Sequence, residues 1–451
     1  MLLRARFVWP LLLALPLPAM SCSKAPSDGE AADVPMTDVA PAAASKVTSK
    51  KSEWNVGWVV GGKTEVTIVE PVVAPPVVIE PAFPTEQQPR PQAGLLTAGD
   101  VDDLLNPAQY ARYASRFLQQ QRANLPFVDT RTRVTIKVVD ARERPVAFAR
   151  ADVRRKDGVL RLVTAADGTA SFFPQFDHVP QQTAVSVSSS AGVAQRFVSL
   201  AKTRLVQVRL PGLTSGPAAM DLALVIDTTG SMGDEMAYLS AELQEIVERI
   251  QRNAGQLDLR IGVILYRDDG DTYVVRSVPL TSDLKSIQVL LAQQKAEGGG
   301  DMPEAMDQAM AAATRLQWRP EAAKALVLVT DAPPHDDALA ASLQATEQLR
   351  ETGVQVVPVA ASGVDDTAQY VLRTMAAVTQ GRYVFLTDDS GVGDAHAEPD
   401  IACYSVSRLD QLLARVLAGI ATGKRIEARP SDVIRTVGAY DRGRCGEPTQ
   451  S

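Results

Sequence analysis

The sequence predicts an α/β fold, a doubly wound and mostly parallel sheet in its second half, preceded by a small all-β sandwich and a disordered N-terminal tether. Three observations lead there. From residue 219 onward, short apolar runs alternate with amphipathic stretches of helical period, the pattern of strands covered on both faces by helices. Between about 131 and 211 the period drops to two, with Asp-Gly turns between the runs. Before residue 94, proline and alanine break any periodicity. At 451 residues the chain exceeds the roughly 250–300 at which single cores stop growing, so two or three units are expected. The boundaries read as 1–21 signal peptide, 22–94 Pro/Ala-rich linker, 95–130 helical segment, 131–211 β-sandwich, 219–424 α/β domain and 425–451 C-terminal tail.

The first segment places Arg4 and Arg6 before an apolar stretch over 7–17 and then Ala19-Met20-Ser21-Cys22, the order of a secretory signal. The stretch is too short and too proline-broken to cross a hydrocarbon core of about 30 Å as a helix. Its end resembles a bacterial lipobox, with Ala19 where that motif usually has leucine. The resemblance implies that Cys22 becomes the acylated mature N-terminus, a lipid anchor on the membrane rather than a span. Ser23 stands where the related inner-membrane retention signal has aspartate, so the implied location is the cell envelope, outer membrane or periplasm ahead of inner membrane. An ordinary secretory signal with an incidental cysteine is the competing reading. Cleavage before Cys22 removes Arg4 and Arg6 and takes the formal charge from −7 to −9. Acidity of this kind argues against nucleic-acid binding, which needs basic surface to neutralise phosphates. Export also sets an oxidising compartment for the remaining cysteines, Cys403 and Cys445, which are expected to pair; two unrelated thiols is the alternative. Closing that loop of about 42 residues stabilises a fold by at most about 4 kcal/mol on the chain-entropy model.

From 23 to about 92 the chain is rich in Ala, Pro, Val and Ser, the composition of an extended leash that holds a binding head away from a membrane. Within it, Thr64-Glu65-Val66-Thr67-Ile68-Val69 is a candidate β segment. Apolar spacings of three and four over 107–118 predict a helix, to which no chemistry attaches. Alternating runs follow, among them Val134-Thr135-Ile136-Lys137-Val138-Val139, Leu160-Arg161-Leu162-Val163-Thr164 and Val206-Gln207-Val208-Arg209-Leu210. Val138-Val139-Asp140 with Pro145-Val146, and then Thr164-Ala165-Ala166-Asp167-Gly168-Thr169-Ala170-Ser171-Phe172, resemble the prealbumin-like regulatory sandwich of carboxypeptidases and many bacterial surface proteins. That resemblance implies a spacer or presenting scaffold.

In the second half the strands are Leu222-Ala223-Leu224-Val225-Ile226, the run over 259–265, Ala325-Leu326-Val327-Leu328-Val329, the run over 354–359 and Tyr383-Val384-Phe385-Leu386. Helices are expected over 236–250, 284–296, 304–316, 339–350, 368–378 and 409–420, with an antiparallel edge strand around 273–279. Ligands of open parallel sheets bind beyond the carboxyl ends of the strands, which directs attention to the loops after Ile226 and Val329.

Those loops hold the chemistry. Asp227-Thr228-Thr229-Gly230-Ser231-Met232 follows the first strand and Thr330-Asp331-Ala332-Pro333-Pro334-His335 a later one. A carboxylate and two hydroxyls spaced by two residues can curl around a small hard cation, and Mg²⁺ takes oxygen ligands at about 2.1 Å while keeping several waters. No thiolate or histidine cluster is present to favour zinc. On these residues the domain, over about 219–424, resembles the Rossmann-like von Willebrand factor type A fold, whose metal-ion-dependent adhesion site uses an Asp-x-Ser/Thr-x-Ser run. The resemblance implies direct coordination by Thr229 and Ser231, action of Asp227 and Asp331 through bound water, and a Mg²⁺ ion, with Mn²⁺ or Ca²⁺ as substitutes. A third loop, Gly298-Gly299-Gly300-Asp301-Met302-Pro303-Glu304, falls where the family has a coordinating threonine, and its register puts Gly300 there. Asp301 next door offers a carboxylate instead, which makes the site more negative and its metal less polarising toward an acidic ligand.

The function implied is non-enzymatic, metal-dependent binding of a protein ligand through an acidic residue of that ligand. An envelope scaffold with a merely stabilising metal is the alternative. A hydrolase using Asp227 as nucleophile ranks below both, since the dehalogenase-type motif needs a second aspartate where Thr229 stands. A serine-hydrolase elbow needs glycine two before Ser231, and that position is again Thr229. Gly391-Val392-Gly393 opens no helix and is no dinucleotide fingerprint. His335 and His396 read first as loop-ordering hydrogen-bond partners, with a second metal or an acid–base role as the alternative, and Arg267 with Asp268 and Asp269 as a loop ion-pair cluster ahead of a site. Without metal, Thr229 and Ser231 would cap the following helix and Asp331 serve a turn.

Overall fold

Leu222, Leu224 and Ile226 pack into one apolar cluster while Ala223 and Val225 pack into another, so a single run of buried residues lines both faces of a sheet. The structure, a computed structural model, describes residues 94–121, 125–234, 236–254, 257–300, 302–392, 396 and 399–446. The signal segment, Cys22 and the tether lie outside them. In chain order come β1 (Thr97–Val101) and α1 (Pro107–Gln120), then seven strands: β2 (Val134–Val139), β3 (Arg150–Arg155), β4 (Gly158–Val163), β5 (Thr169–Phe172), β6 (Gln182–Ser189), β7 (Gly192–Ser199) and β8 (Leu205–Arg209). Next are β9 (Ala219–Asp227), α2 (Met236–Ala254), β10 (Asp258–Tyr266), β11 (Val275–Thr281), α3 (Leu284–Ala292), α4 (Met306–Thr314), β12 (Ala323–Thr330) and α5 (Leu339–Glu351). The chain continues through β13 (Val354–Ala360), α6 (Asp366–Thr379), β14 (Tyr383–Thr387), β15 (Tyr404–Arg408), α7 (Leu409–Thr422), β16 (Val433–Val437), β17 (Tyr440–Asp441) and β18 (Arg444–Cys445).

The large sheet runs β11-β10-β9-β12-β13-β14-β1-β15-β16. Its β10, β9, β12, β13 and β14 are parallel, with Ile226 beside both Leu265 and Val329, and β11 closes one edge antiparallel to β10. Helices α1, α4, α5 and α6 cover one face, and α2, α3 and α7 the other. This is the doubly wound arrangement expected of strands that are apolar along their whole length.

Two expectations are corrected here. Residues 95–130 are not simply a helical segment, because β1 sits inside the large sheet, antiparallel to β14 on one side and β15 on the other. Gly99 allows this: a Cβ there would meet Phe385 Cζ at 2.5 Å and Tyr404 Cδ2 at 3.1 Å. The stretch beyond 425 is likewise no mere tail, since β16 extends the sheet beside β15. A disulfide joins Cys403 to Cys445, with Cα atoms 5.4 Å apart, and ties the C-terminal ladder to the residue preceding β15.

Between β1 and β9 the chain leaves the sheet to build a small β domain. Two sheets, β5-β2-β8 and β4-β3-β6-β7, enclose a core of Val134, Ile136, Val153, Leu162, Phe172 and Val187, among others. Gly158 and Gly168 take positive φ at the Asp-Gly turns, where a side chain would be strained. The described residues fall within one compact unit, so this domain and the large sheet belong to a single body.

Candidate metal centre

Asp227 is the last residue of β9, with Tyr266 of β10 in register beside it and Thr330 at the end of neighbouring β12. It is fully buried, and the loop after it folds back onto its carboxylate. Oδ1 accepts from Thr229 N at 3.0 Å and from Thr229 Oγ1 at 2.7 Å, and Oδ2 accepts from Thr330 Oγ1 at 3.2 Å. Ser231 Oγ lies 3.2 Å from Thr229 Oγ1. Thr229 is buried while Ser231 is exposed, so the hydroxyl pair spans from the sheet edge to solvent. Asp331, 4% exposed, follows Thr330 on the same edge.

Backbone hydrogen bonds stitch the third loop to the first. Glu297 N donates to Thr228 O at 3.0 Å and Gly230 N donates to Gly298 O at 3.0 Å. Asp271 accepts from Gly299 N at 2.9 Å and packs so closely on Gly298 that a Cβ there would meet its Oδ1 at 2.4 Å. Asp301 lies outside the described residues. Gly300 has open space around its Cβ position. The carboxylate that does reach the site from this loop is Glu304, 2% exposed, whose backbone N donates to Pro333 O at 3.0 Å. A Cβ at Gly299 would meet Glu304 Oε1 at 3.0 Å and Thr229 Cβ at 3.2 Å, so the two side chains flank one point. Sequence reasoning missed Glu304 as a site residue and placed it at the start of a helix, which instead begins at Met306. The usable signal was an acidic residue inside a glycine-rich loop; its burial is a tertiary fact.

Three buried carboxylates, Asp227, Asp331 and Glu304, therefore act on one another's charge at this sheet edge. Burial pushes Asp227 up to about 7, and the charge of Asp331 adds to the push against the hydrogen bonds from Thr229 and Thr330. Burial likewise pushes Glu304 up to about 9, reinforced by Asp227, Asp268, Asp331 and Asp271. Glu304 Oε2 is buried with no hydrogen-bond partner among the described residues. Like charges in low dielectric raise one another in this way unless a cation intervenes. No group of three or more His, Cys, Asp or Glu side chains among the described residues could hold a metal ion by itself. Any cation here needs the Thr229 and Ser231 hydroxyls as well, and an all-oxygen set of hydroxyls and few carboxylates fits Mg²⁺ better than zinc.

The surrounding residues order the loops. His335 Nε2 lies 2.7 Å from Asp268 Oδ1, and His396 Nδ1 lies 2.8 Å from Asp388 Oδ1. Arg267 does not join Asp268 and Asp269 in an ion-pair cluster. Its guanidinium reaches Thr272 Oγ1 at 3.2 Å, Lys295 O at 3.2 Å and Glu297 at 3.7 Å, over the Tyr273 ring. It pins the start of the glycine-rich loop.

Residues 221–397 match the model of the von Willebrand factor type A domain. An ariadne-like RING finger protein of Acanthamoeba polyphaga mimivirus is 36% identical over 118 residues, 26% of this chain and 11% of that protein. An alpha-protein kinase of Dictyostelium discoideum is 25% identical over 117 residues, 26% of this chain and 19% of that protein. The chain thus spans less than a fifth of the length of either relative. Among solved structures, BatB of Bacteroides thetaiotaomicron is 16% identical with a TM-score of 0.33, covering 45% of this chain and 99% of that one. The pilus adhesin SpaC of Lactobacillus rhamnosus GG, in its open conformation, is 12% identical with a TM-score of 0.33, covering 54% of this chain and 32% of that one. The family match thus assigns residues 221–397, which hold the parallel strands of the large sheet, to a von Willebrand factor type A domain.

Proposed function

We propose that this chain is a non-enzymatic binding protein whose type A domain holds one divalent cation, Mg²⁺ in the first place, and uses that edge to engage an acidic group of a protein partner. One observation carries the reading: Asp227, Thr229, Ser231, Asp331 and Glu304 converge on one sheet edge, with buried carboxylates whose mutual repulsion a cation would relieve. When bound, the ion supplies a Lewis-acidic site for a carboxylate of the partner. Ser231 on the exposed side leaves that approach open. The lipid anchor at Cys22, outer-membrane or periplasmic placement, and the role of the small β domain as a spacer belong to the same proposal.

A second reading has one observation in its favour. Glu304 adds a carboxylate to a site whose third loop has Gly300 in place of the family's hydroxyl, so the ion would be held more tightly and polarise less, which suits a stabilising metal in an envelope scaffold. Isothermal titration of the secreted chain with Mg²⁺, Mn²⁺ and Ca²⁺ tests the site: saturable heat that Asp227→Ala abolishes is expected, and no metal-dependent heat in the wild type removes both readings. A pull-down from envelope extracts, with and without chelator, separates them. Binding predicts partners lost on chelation; an unchanged partner set favours the scaffold. Gly300→Thr restores the family's hydroxyl in open space, so it is expected to fold normally and to increase chelator-sensitive capture.

A further inference from the structure

At the end of the large sheet opposite Asp227, near the starts of β13 and β14, the small β domain does not close completely against the type A domain. The β1–α1 loop, Arg133 and residues 165–171 of the small domain, Gln355, residues 380–382 and the C-terminal end of α7 surround a cavity of about 340 Å³. Ligand pockets fall mostly between roughly 300 and 1,000 Å³ and favour domain interfaces. Two close backbone approaches border this space. Gly423 (φ +68°) lies so near the small domain that a Cβ would meet Asp167 N at 2.5 Å, and a Cβ at Gly381 would meet Val356 O at 1.8 Å.

The walls are apolar on one side and basic on the other. Leu104, Leu105, Val416 and Ile420 supply the apolar part. The charged lining is Arg133, Arg382 and Arg425 with Asp102 and Asp167. Both acids are already engaged locally. Asp102 accepts from Leu104 N (3.1 Å), Leu105 N (3.2 Å) and Arg425 Nη1 (3.0 Å), and Asp167 accepts from Thr169 N (2.8 Å) and Thr169 Oγ1 (2.7 Å). The arginines differ in what they have left to give. Arg425 is held by Asp102 and Glu427, with its Nη2 buried against Gly443. Arg382 reaches Asp100 through Nη1 at 3.3 Å, and Arg133 makes no side-chain hydrogen bond or ion pair among the described residues. Burial lowers the Arg133 pKa, with Asp102 the one compensating charge. The unspent hydrogen-bonding capacity of this cavity is therefore cationic and donor in kind, next to an apolar floor.

We propose that the cavity binds a small organic anion, a carboxylate- or phosphate-bearing molecule with an apolar body, with Arg133 as its principal charge partner. This site is separate from the metal edge and does not depend on it. Guanidinium fits both oxyanions, so their shared chemistry defines the ligand class.

The test uses anilinonaphthalene sulfonate, an anion on an apolar ring system, titrated by fluorescence into the secreted chain, with citrate and inorganic phosphate as competitors. One saturable site is expected, displaced by citrate, by phosphate or by both, which identifies the preferred oxyanion. Arg133→Gln should weaken the dye about tenfold, the scale of one charge-assisted contact, with Arg133→Lys recovering part of the loss. Arg133 bridges nothing in the fold, so the melting temperature of both variants should match the wild type. The most exposed large apolar side chain among the described residues is Phe197 on the small domain, 81% exposed, where the dye could also settle. Phe197→Ser should leave the affinity unchanged. Wild-type affinity in Arg133→Gln, loss of the signal in Phe197→Ser, or no saturable binding would each overturn the proposal.

Discussion

Glu242 on α2 shows how one residue sets a condition for the fold. It is fully buried, and its Oε1 accepts from Gly94 N, Leu95 N and Leu96 N at 2.8, 3.1 and 3.2 Å, fixing the chain where it enters β1. Burial nonetheless pushes its carboxyl up to about 7, with the charge of Asp410 adding to the effect and the three N–H donors opposing it. A carboxyl whose folded pKa lies above its unfolded value is held protonated by the fold. Below about pH 4.5 both states carry the proton and the group contributes no pH dependence. Between about 4.5 and 7 only the unfolded state ionises, so stability falls as pH rises, and above 7 the loss is constant. The loss is on the order of 3 kcal/mol at most. Glu242→Gln keeps the acceptor and removes the titration. Urea midpoints measured from pH 4 to 8 should therefore show the wild type losing ground to the variant across that window; parallel profiles would contradict the assignment.

At the scale of elements, legibility followed local pattern. β9 and β12 could be read because Leu222 to Ile226 and Ala325 to Val329 are continuous apolar runs, and Asp227, Thr229, Ser231 and Asp331 could be put at the strand ends because each lies in the loop that opens just after such a run. β1 could not. Thr97-Ala98-Gly99-Asp100-Val101 has no alternation and little β-propensity, and it is a strand because its glycine fits beneath Phe385 and Tyr404. Glu304 was hidden for a related reason, since its role comes from loops that meet only after folding. The insertion of β1 has a direct consequence. A fragment of residues 219–424 leaves a gap between β14 and β15 and exposes two strand edges together with Phe385 and Tyr404, both at most 2% exposed in the whole fold. That fragment is expected to aggregate or to melt without a cooperative transition, whereas residues 94–446 melt cooperatively. Circular dichroism melts of the two fragments decide, and a cooperative transition in the shorter one would show β1 to be dispensable.

At the scale of the molecule, the small β domain is held by contacts that neither domain's own pattern announces. Gly353 (φ +82°), just after α5, approaches the small domain closely enough that a Cβ would meet Val163 Cβ at 2.9 Å. Beside it, Arg350 reads in sequence as an ordinary charge in the last turn of a helix, yet it is 6% exposed and spans the junction. Its guanidinium donates to Asp177 Oδ1 at 2.7 Å, to Asp177 Oδ2 at 3.0 Å and to Ser171 O at 2.8 Å. Removing one partner of a buried, bidentate pair strands the other charge and typically costs about 3–5 kcal/mol, whereas replacing both with apolar groups is often near neutral. Arg350→Met should therefore destabilise by a few kcal/mol, softened by Arg155, which lies 3.8 Å from Asp177. Arg350→Met with Asp177→Leu should recover much of that loss if the pair's main effect is on stability. If it also fixes the orientation of the two domains, the double variant regains its melting temperature while amides at Ser171, Gly353 and Gly423 exchange faster than in the wild type. Hydrogen exchange on the melting-matched pair separates the two. Unchanged protection at all three positions would mean that close packing at the glycines, not the ion pair, sets how the small domain sits on the type A domain.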